Sequence, residues 1–394
     1  MAALLRDKAP LPTHPKSPDA HVRAVPSYTD DMEQMYSQMQ PLYVHMTLPS
    51  AFNQLDDLSP RLVHLLVDLG IKSHDIVPLC FEKSAWVIVR LLGVIKAGAA
   101  FVFIDPSHPK NVDQNSITKL PIHDRALSIN VTPSSLLYVI FTCDTVSPKE
   151  CLIEHSEFGS GSFQHAAKAR ILPSSRILQL ASFILDVGIL EIPTSLISGV
   201  CIYYPSTPAM ILGPAHLIND MATTWAFLTH SVAKMIKPSS IPNLKILALG
   251  GEPLAKRTLD RSKQCDMMPD TDPADIGWAV GGLRWVLDAE DHDKLVPIGG
   301  VGELLIEGPI LARGYPKNQA RIDEVFIESP LWGPRTDAGK VRRLYKTGDL
   351  AKFNPNRSIH LGGRKGTQIK LKGLCIELGE IERGIANHNH DNAL

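Results

Sequence analysis

The sequence predicts an α/β protein: a large N-terminal core of parallel sheets with helices, a β-rich lobe after it, and a short α+β segment at its C-terminal end. Three observations carry this expectation. A strand–helix–strand unit is legible over 76–104, and strand and helix signals keep alternating as far as Leu249. From Gly302 the pattern changes to short alternating strands broken by Gly and Pro.

The elements follow in order. Residues 1–40 are rich in Pro, Asp and Met without periodicity and read as a loose leader. Leu55, Leu58, Leu62, Leu65 and Leu69 recur at helical spacing and stop at Gly70, a residue suited to ending a helix. A short apolar run over 76–81 reads as a strand. Ser84 can cap a helix carrying Trp86, Val89, Leu92 and Ile95, and 100–104 is the next strand, closed by Asp105-Pro106. Further strands are expected over 136–141, 177–183, 200–204, 224–228 and 244–249, with helices over 189–197 (despite Pro193) and 231–236. These signals divide the chain into the leader at 1–40, a core over 41–361 and a C-terminal subdomain over 362–394.

Composition narrows the functional classes. The 394 residues are 44% hydrophobic and 21% charged, enough for a sizeable core, and the net charge of −1 leaves no electrostatic footprint for nucleic acid or an anionic membrane. Fifteen His contain no H-E-x-x-H and six Cys no C-x-x-C, so no metal site of familiar spacing is expected and the thiols read as reduced. The most apolar stretch, 84–104, is interrupted by Arg90 and Lys96, which argues against a membrane span. The N-terminal charges are followed by no apolar segment, so the expected location is cytoplasmic.

The densest chemistry lies in 345–382. Tyr345-Lys-Thr-Gly-Asp-Leu350 puts Asp349 directly after a glycine. A carboxylate on a tight strand end can accept both hydroxyls of a ribose, because a cis-diol offers two donors. Gly363-Arg364 then leads into 368–372, where polar and apolar residues alternate as on a half-buried strand; Gly373 turns the chain, and Ile381 and Ile385 share one face of a helix.

These two blocks, in this order and separation, resemble the adenylation domain of fungal nonribosomal peptide synthetases, within the superfamily of adenylate-forming ligases. The resemblance runs over about residues 50–385. It implies ATP and Mg2+ as cofactors and an amino acid as substrate, with aminoacyl-adenylate and pyrophosphate as products. A carrier protein acting in trans is an implied partner; nucleic acid and membrane are not. By resemblance Asp349 holds the ribose, and Arg364 and Lys370 lie near the ribose and phosphates. Asp186, within SFILDVGILEI, holds the substrate ammonium. Gly250 and Gly251 line the substrate pocket, with Glu252 on the nucleotide side. Thr142 opens the phosphate loop, and Lys149 is its catalytic phosphate contact. The string from Lys96 to Pro106 matches an early motif taken as structural. Ile153-Glu154-His155 matches the tail of the phosphate-loop motif in fungal members.

On the residues alone, some of these keep a second reading. Without the resemblance Asp186 reads first as a capping or surface carboxylate, Gly250-Gly251 as a plain strand-to-helix turn, and Lys370 as the solvated face of its strand. Gly159-Ser160-Gly161 lacks the G-x-S-x-G frame and an incoming strand, and is not read as a nucleophile.

Departures from the pattern temper the expected activity. The family's phosphate loop reads T-S-G-S-T-G-x-P-K-G, a glycine-rich turn whose amides wrap phosphate. Here Thr142 is followed by Cys-Asp-Thr-Val-Ser-Pro-Lys-Glu, which lacks glycine and brings Asp144 and Glu150 towards anionic phosphates. The stretch between Asp105-Pro106 and the strand at 136 is short, and the Y-G-P-T-E block is absent between Leu259 and Ile276. Gly366 stands where the hinge motif has Asp. Only 31 residues follow Gly363 up to Leu394, the counterpart of a truncated lid without its lysine. The expected function is amino-acid adenylation in secondary metabolism with impaired turnover. The alternative is an inactive remnant or non-catalytic partner in a biosynthetic gene set; an acyl-CoA or aryl-acid ligase is disfavoured by Asp186, since such substrates have no ammonium group.

Overall fold

The computed structural model describes residues 49–80, 83, 86–104, 129–142, 149–205, 213–252, 272, 274–315, 318–328, 330, 332, 342–365, 368–371 and 374–377. The expected leader over 1–40, the segment 143–148 and the helix carrying Ile381 and Ile385 lie outside them. The described residues fall into two compact units. One takes those within Met1–Ile140, Leu152–Phe227 and Ser240–Ile246, the other those within Phe141–Cys151, Leu228–Ser239 and Leu247–Leu394.

The first unit is built on parallel sheets. Helix α1 (Pro49–Asp68) leads to β1 (Ile76–Cys80), α2 (Trp86–Lys96) and β2 (Ala100–Ile104). Strands β1 and β2 pair in parallel from Ile76↔Ala100 to Cys80↔Ile104, the geometry a right-handed helical crossover provides. β3 (Leu136–Thr142) is parallel to β2, and β4 (Lys149–Glu154) completes the order β1-β2-β3-β4. The period of two sorts the side chains: Val77, Leu79, Phe101 and Phe103 enter the main core on one face, and Ile76, Ala100 and Val102 a smaller cluster on the other. Burial on both faces explains why these strands read as unbroken apolar runs. Phe101 is fully buried and stacks on Tyr138 at 5.6 Å, worth about 2–3 kcal/mol in transferred area. Lys96, in the early motif, has a structural contact: its Nζ donates to Ser59 Oγ of α1 at 2.8 Å.

A second four-stranded sheet has the order β6-β5-β7-β8, from β5 (Arg176–Leu178), β6 (Cys201–Tyr203), β7 (Trp225–Leu228) and β8 (Ile246–Leu249), with β5 parallel to β6 and β7. Three expectations need correction here. The strand expected over 177–183 stops at Leu178, because the buried Gln179 side chain donates to the Ala181 carbonyl at 2.7 Å and turns the chain. The helix expected over 189–197 contains a π-helical stretch, Leu190–Thr194, around Pro193, whose missing N–H and ring the wider turn accommodates. The strand expected over 244–249 begins at Ile246 and is half-buried throughout. Gly159-Ser160-Gly161 sits inside helix α3 (His155–Lys168), where no nucleophile elbow exists.

The second unit is the expected β-rich lobe. β9 (Asp275–Gly277), β10 (Leu283–Leu287), β11 (Gly302–Glu307), β13 (Arg343–Phe353) and β14 (Ile359–Arg364) form an antiparallel sheet in the order β10-β11-β13-β14-β9. β12 (Phe326–Glu328) also pairs with β13. Leu287, Leu305 and Leu344 fill one side of the sheet, and Leu304, Ala351 and Ile359 form a separate cluster. β15 (Gln368–Leu371) and β16 (Leu374–Glu377) make a two-stranded antiparallel pair, as the alternation at 368–372 predicts.

Candidate functional site

The site is built around a turn inside β13. Gly348 has φ +73, a conformation that side chains with a Cβ resist. Hydrogen bonds from several neighbours fix it there. The Gly348 N–H donates to Glu303 Oε1 at 3.2 Å, and its carbonyl accepts from the Lys365 N–H at 2.9 Å. Thr347 Oγ1 donates to the Leu304 carbonyl at 2.8 Å and accepts from the Asp349 N–H at 3.1 Å. Glu303, only 3% exposed, also lies 3.2 Å from His292 Nε2 and 3.8 Å from Lys365 Nζ. Lys365 Nζ additionally reaches Glu290 at 3.5 Å and the Ala289 carbonyl.

The turn delivers Asp349 to a defined place. Cross-strand register sets Asp349 opposite Arg364, and the Arg364 Nε lies 2.8 Å from Asp349 Oδ1. The register shifts between Leu350 and Ala351, an irregularity that re-aims side chains along a strand. Both side chains are about one-third exposed, at 27% and 36%, so the carboxylate stands at the rim of the sheet and can be reached from solvent. A rim carboxylate oriented by a guanidinium suits a ligand diol, and the guanidinium itself suits an anion.

Gly250-Gly251-Glu252 lies in the same unit, directly after β8. Gly251 has φ +77, and the Gly250 N–H donates to the Leu228 carbonyl at 3.3 Å. Glu252 Oε2 accepts from the Ser231 N–H at 2.8 Å, near the start of a short helix over His230–Met235. Hydrogen bonds from Ser231 hold the Glu252 carboxyl below its ordinary range. Thr142 ends β3 and Lys149 begins the adjacent β4, so the two bracket 143–148, and Glu150 beside them is half-buried. Asp144 lies outside the described residues. Lys370 stands in β15 opposite Cys375.

Asp186 belongs to the first unit. It begins the helical turn Asp186–Ile189, is exposed, and accepts from the Val187 N–H through Oδ1 at 2.8 Å. The residue before the helix, Leu185, is the N-cap, so this local bond is not a side-chain cap.

Two sets of polar residues were not found from the sequence. One is Glu303, whose signal is an acid in an otherwise apolar strand, Gly-Glu-Leu-Leu-Ile. The other is Lys83, Gln179 and Glu191 in the first unit. Glu191 is fully buried and accepts from Gln179 Nε2 at 2.9 Å and from the Ala181 N–H at 3.3 Å. Lys83 Nζ donates to Gln179 Oε1 at 3.1 Å and to the carbonyls of Leu180 and Ala181 at 2.6 and 2.7 Å. Burial pushes the Glu191 carboxyl up to about 8 against the pull of Lys83, and burial lowers Lys83 to about 8 against the pull of Glu191. A lone acid within the apolar 189–197 was the available signal.

Among the described residues no group of three His, Cys, Asp or Glu is placed to hold a metal ion, so the expected Mg2+ has no assigned ligands here. Among the described residues no helix is long and apolar enough to cross a membrane.

No family model matches the chain. Individual relatives do. Nonribosomal peptide synthetase atnA of Emericella nidulans is 42% identical over 390 residues, covering 84% of this chain and 5% of that protein. Nonribosomal peptide synthetase TES of Alternaria alternata is 37% identical over 390 residues, covering 84% of this chain and 8% of that protein. The chain therefore spans only a small part of the curated relatives it matches. Among solved structures, holo-PA1221, described as a protein containing adenylation and PCP domains bound to a vinylsulfonamide inhibitor, superposes with a TM-score of 0.69 at 21% identity, covering 85% of this chain and 67% of that one. NpsA of Klebsiella oxytoca in complex with 3-hydroxyanthranilyl-AMSN gives a TM-score of 0.68 at 19% identity, covering 83% of this chain and 77% of that one.

Proposed function

We infer that this chain, a relative of fungal nonribosomal peptide synthetases with the fold of adenylation domains, binds ATP and activates an amino acid as its aminoacyl-adenylate, with impaired turnover. The observation that carries this reading is the pinned turn at 347–349, which sets Asp349 beside Arg364 at 2.8 Å.

The residues present fit the adenosine end of ATP. Asp349 accepts hydrogen bonds from the ribose hydroxyls, and Arg364 orients that carboxylate. Glu303 keeps the turn from relaxing through its 3.2 Å bond from Gly348. Gly250 and Gly251 line the substrate side and Glu252 the nucleotide side. By resemblance, the phosphates fall to Lys149, Thr142 and Lys370, and the substrate ammonium to Asp186. Mg2+ bound with ATP supplies charge neutralisation of the phosphates. The core of this machinery runs over 41–361 and the C-terminal subdomain over 362–394. A carrier protein is the acceptor class that suits an activated aminoacyl group.

Impairment is inferred from 142–150. A glycine-free segment keeps backbone amides farther from phosphate, and Asp144 and Glu150 oppose the charge that develops during transfer. The same two acids favour a second reading, a non-catalytic relative that binds a nucleotide without turning it over. Calorimetric titration with ATP tests the first part. Wild type is expected to bind and Asp349→Ala to bind at least tenfold more weakly, about 1.4 kcal/mol; equal affinities refute the assigned role of Asp349.

A further inference from the structure

We propose that Lys83, Gln179 and Glu191 form a buried clamp that fixes the backbone of 180–186, making them positioning residues for Asp186 and so for the affinity of the amino-acid substrate. The consequence for affinity rests on the function proposed above; the clamp itself rests on geometry.

Segment 179–185 lies outside the strands and helices, with the Gln179 N–H donating to the Tyr203 carbonyl of β6 at 2.9 Å. Beyond that bond, side chains from outside the segment satisfy much of its backbone. Lys83 Nζ spends its donors on Gln179 Oε1, the Leu180 carbonyl and the Ala181 carbonyl, at 3.1, 2.6 and 2.7 Å. Glu191 Oε2 takes the Ala181 N–H at 3.3 Å and the Gln179 amide at 2.9 Å. Residues 179–181 are thus held from both sides, by the Lys83 ammonium and by the Glu191 carboxyl group. The Lys83 ammonium also lies 5.6 Å from the centre of the Phe183 ring, which stacks on Phe103 at 5.3 Å. Beyond Phe183 the chain turns through Leu185 N–H to Ser182 carbonyl, at 3.2 Å, and delivers Asp186.

This arrangement is a poor device for stability. Glu191 Oε1 and the Tyr204 hydroxyl are both buried without a hydrogen-bond partner. A buried carboxyl group with an unpaired oxygen is commonly no better than an apolar residue of the same volume. What it does provide is a unique backbone path for a segment with few other constraints, just before the exposed carboxylate.

Hydrogen–deuterium exchange on the full chain tests the clamp directly. Lys83→Met is expected to speed exchange of the amides in 180–187 roughly tenfold or more while the strands of the first unit stay protected. Lys83→Arg, which keeps the donors, is expected to restore most of that protection. Unchanged exchange at 180–187 overturns the proposal, as does an equal rise throughout the first unit. In amino-acid-dependent ATP–pyrophosphate exchange, Lys83→Met is expected to raise the amino-acid KM roughly tenfold with the ATP KM unchanged. An equal rise in both KM values overturns the link to Asp186. Wild-type protein that gives no exchange overturns the proposed function and with it the effect on affinity, while deuterium exchange still decides the clamp.

Discussion

Removing the Glu303 carboxylate is the most informative single change in the second unit. It is 3% exposed and accepts from the Gly348 N–H and His292 Nε2, each at 3.2 Å, with Lys365 Nζ at 3.8 Å. Glu303→Ala deletes two hydrogen bonds to a charged acceptor and leaves the Gly348 donor and the Lys365 ammonium without this partner. Each loss is worth ~1–2 kcal/mol, with a further ~1 kcal/mol for the space vacated, giving a total of ~3–5 kcal/mol. Glu303→Gln keeps an acceptor for Gly348 and loses only the charge facing Lys365, for ~1 kcal/mol. Urea unfolding followed by tryptophan fluorescence measures both, and ATP titration reads the turn itself. Alanine is expected to weaken ATP binding at least tenfold, because the turn at Gly348 loses its anchor while Asp349 is untouched. A cost below ~0.5 kcal/mol for Glu303→Ala, with unchanged ATP affinity, would refute the reasoning.

Other consequences are equally open to measurement. Asp349→Ala removes a partly exposed ion pair with Arg364, so stability is expected to fall by less than ~1 kcal/mol while ATP binding weakens at least tenfold; a large drop in melting temperature would contradict a binding role. Gly348→Ala forces a Cβ into φ +73 and is expected to cost ~1–2 kcal/mol, read from the urea midpoint. Trp225 is 1% exposed and its Nε1 donates to the Ala169 carbonyl at 2.9 Å, so Trp225→Phe is expected to cost ~1–2 kcal/mol and Trp225→Ala ~3–5 kcal/mol by the same assay. Burial lowers His155 from 6.5 to about 4, so between those pH values the unfolded chain binds more protons than the folded one. Its contribution to stability is therefore lost as pH falls from 6.5 towards 4, by up to ~3 kcal/mol. His155→Gln is expected to flatten the dependence of melting temperature on pH across that window, and an unchanged slope would contradict the assignment.

The sequence carried the sheet elements wherever burial on both faces left an unbroken apolar run, as in Val77, Leu79, Phe101 and Phe103. It misled where a side chain outcompeted the local pattern. Gln179 ends a strand by hydrogen bonding across its own turn, and Pro193 is absorbed by a π-helical stretch instead of ending the helix. Asp349 and Arg364 stand out in the sequence because each sits in a distinctive local string. Their 2.8 Å contact does not, since it depends on the antiparallel register of β13 and β14. Glu303 and Lys83 were not legible as partners at all. Their contacts bridge 45 residues to Gly348 and 96 to Gln179, separations that no periodicity records.

Amino-acid-dependent ATP–pyrophosphate exchange on the purified chain, across the common amino acids and with Asp349→Ala as background, tests the proposed activity most directly. Slow exchange above that background with one amino acid is the result the pinned Asp349 and the acidic, glycine-free segment after Thr142 together lead us to expect. No exchange from protein that melts cooperatively would contradict the proposed activity and leave a folded, non-catalytic relative of the peptide synthetases.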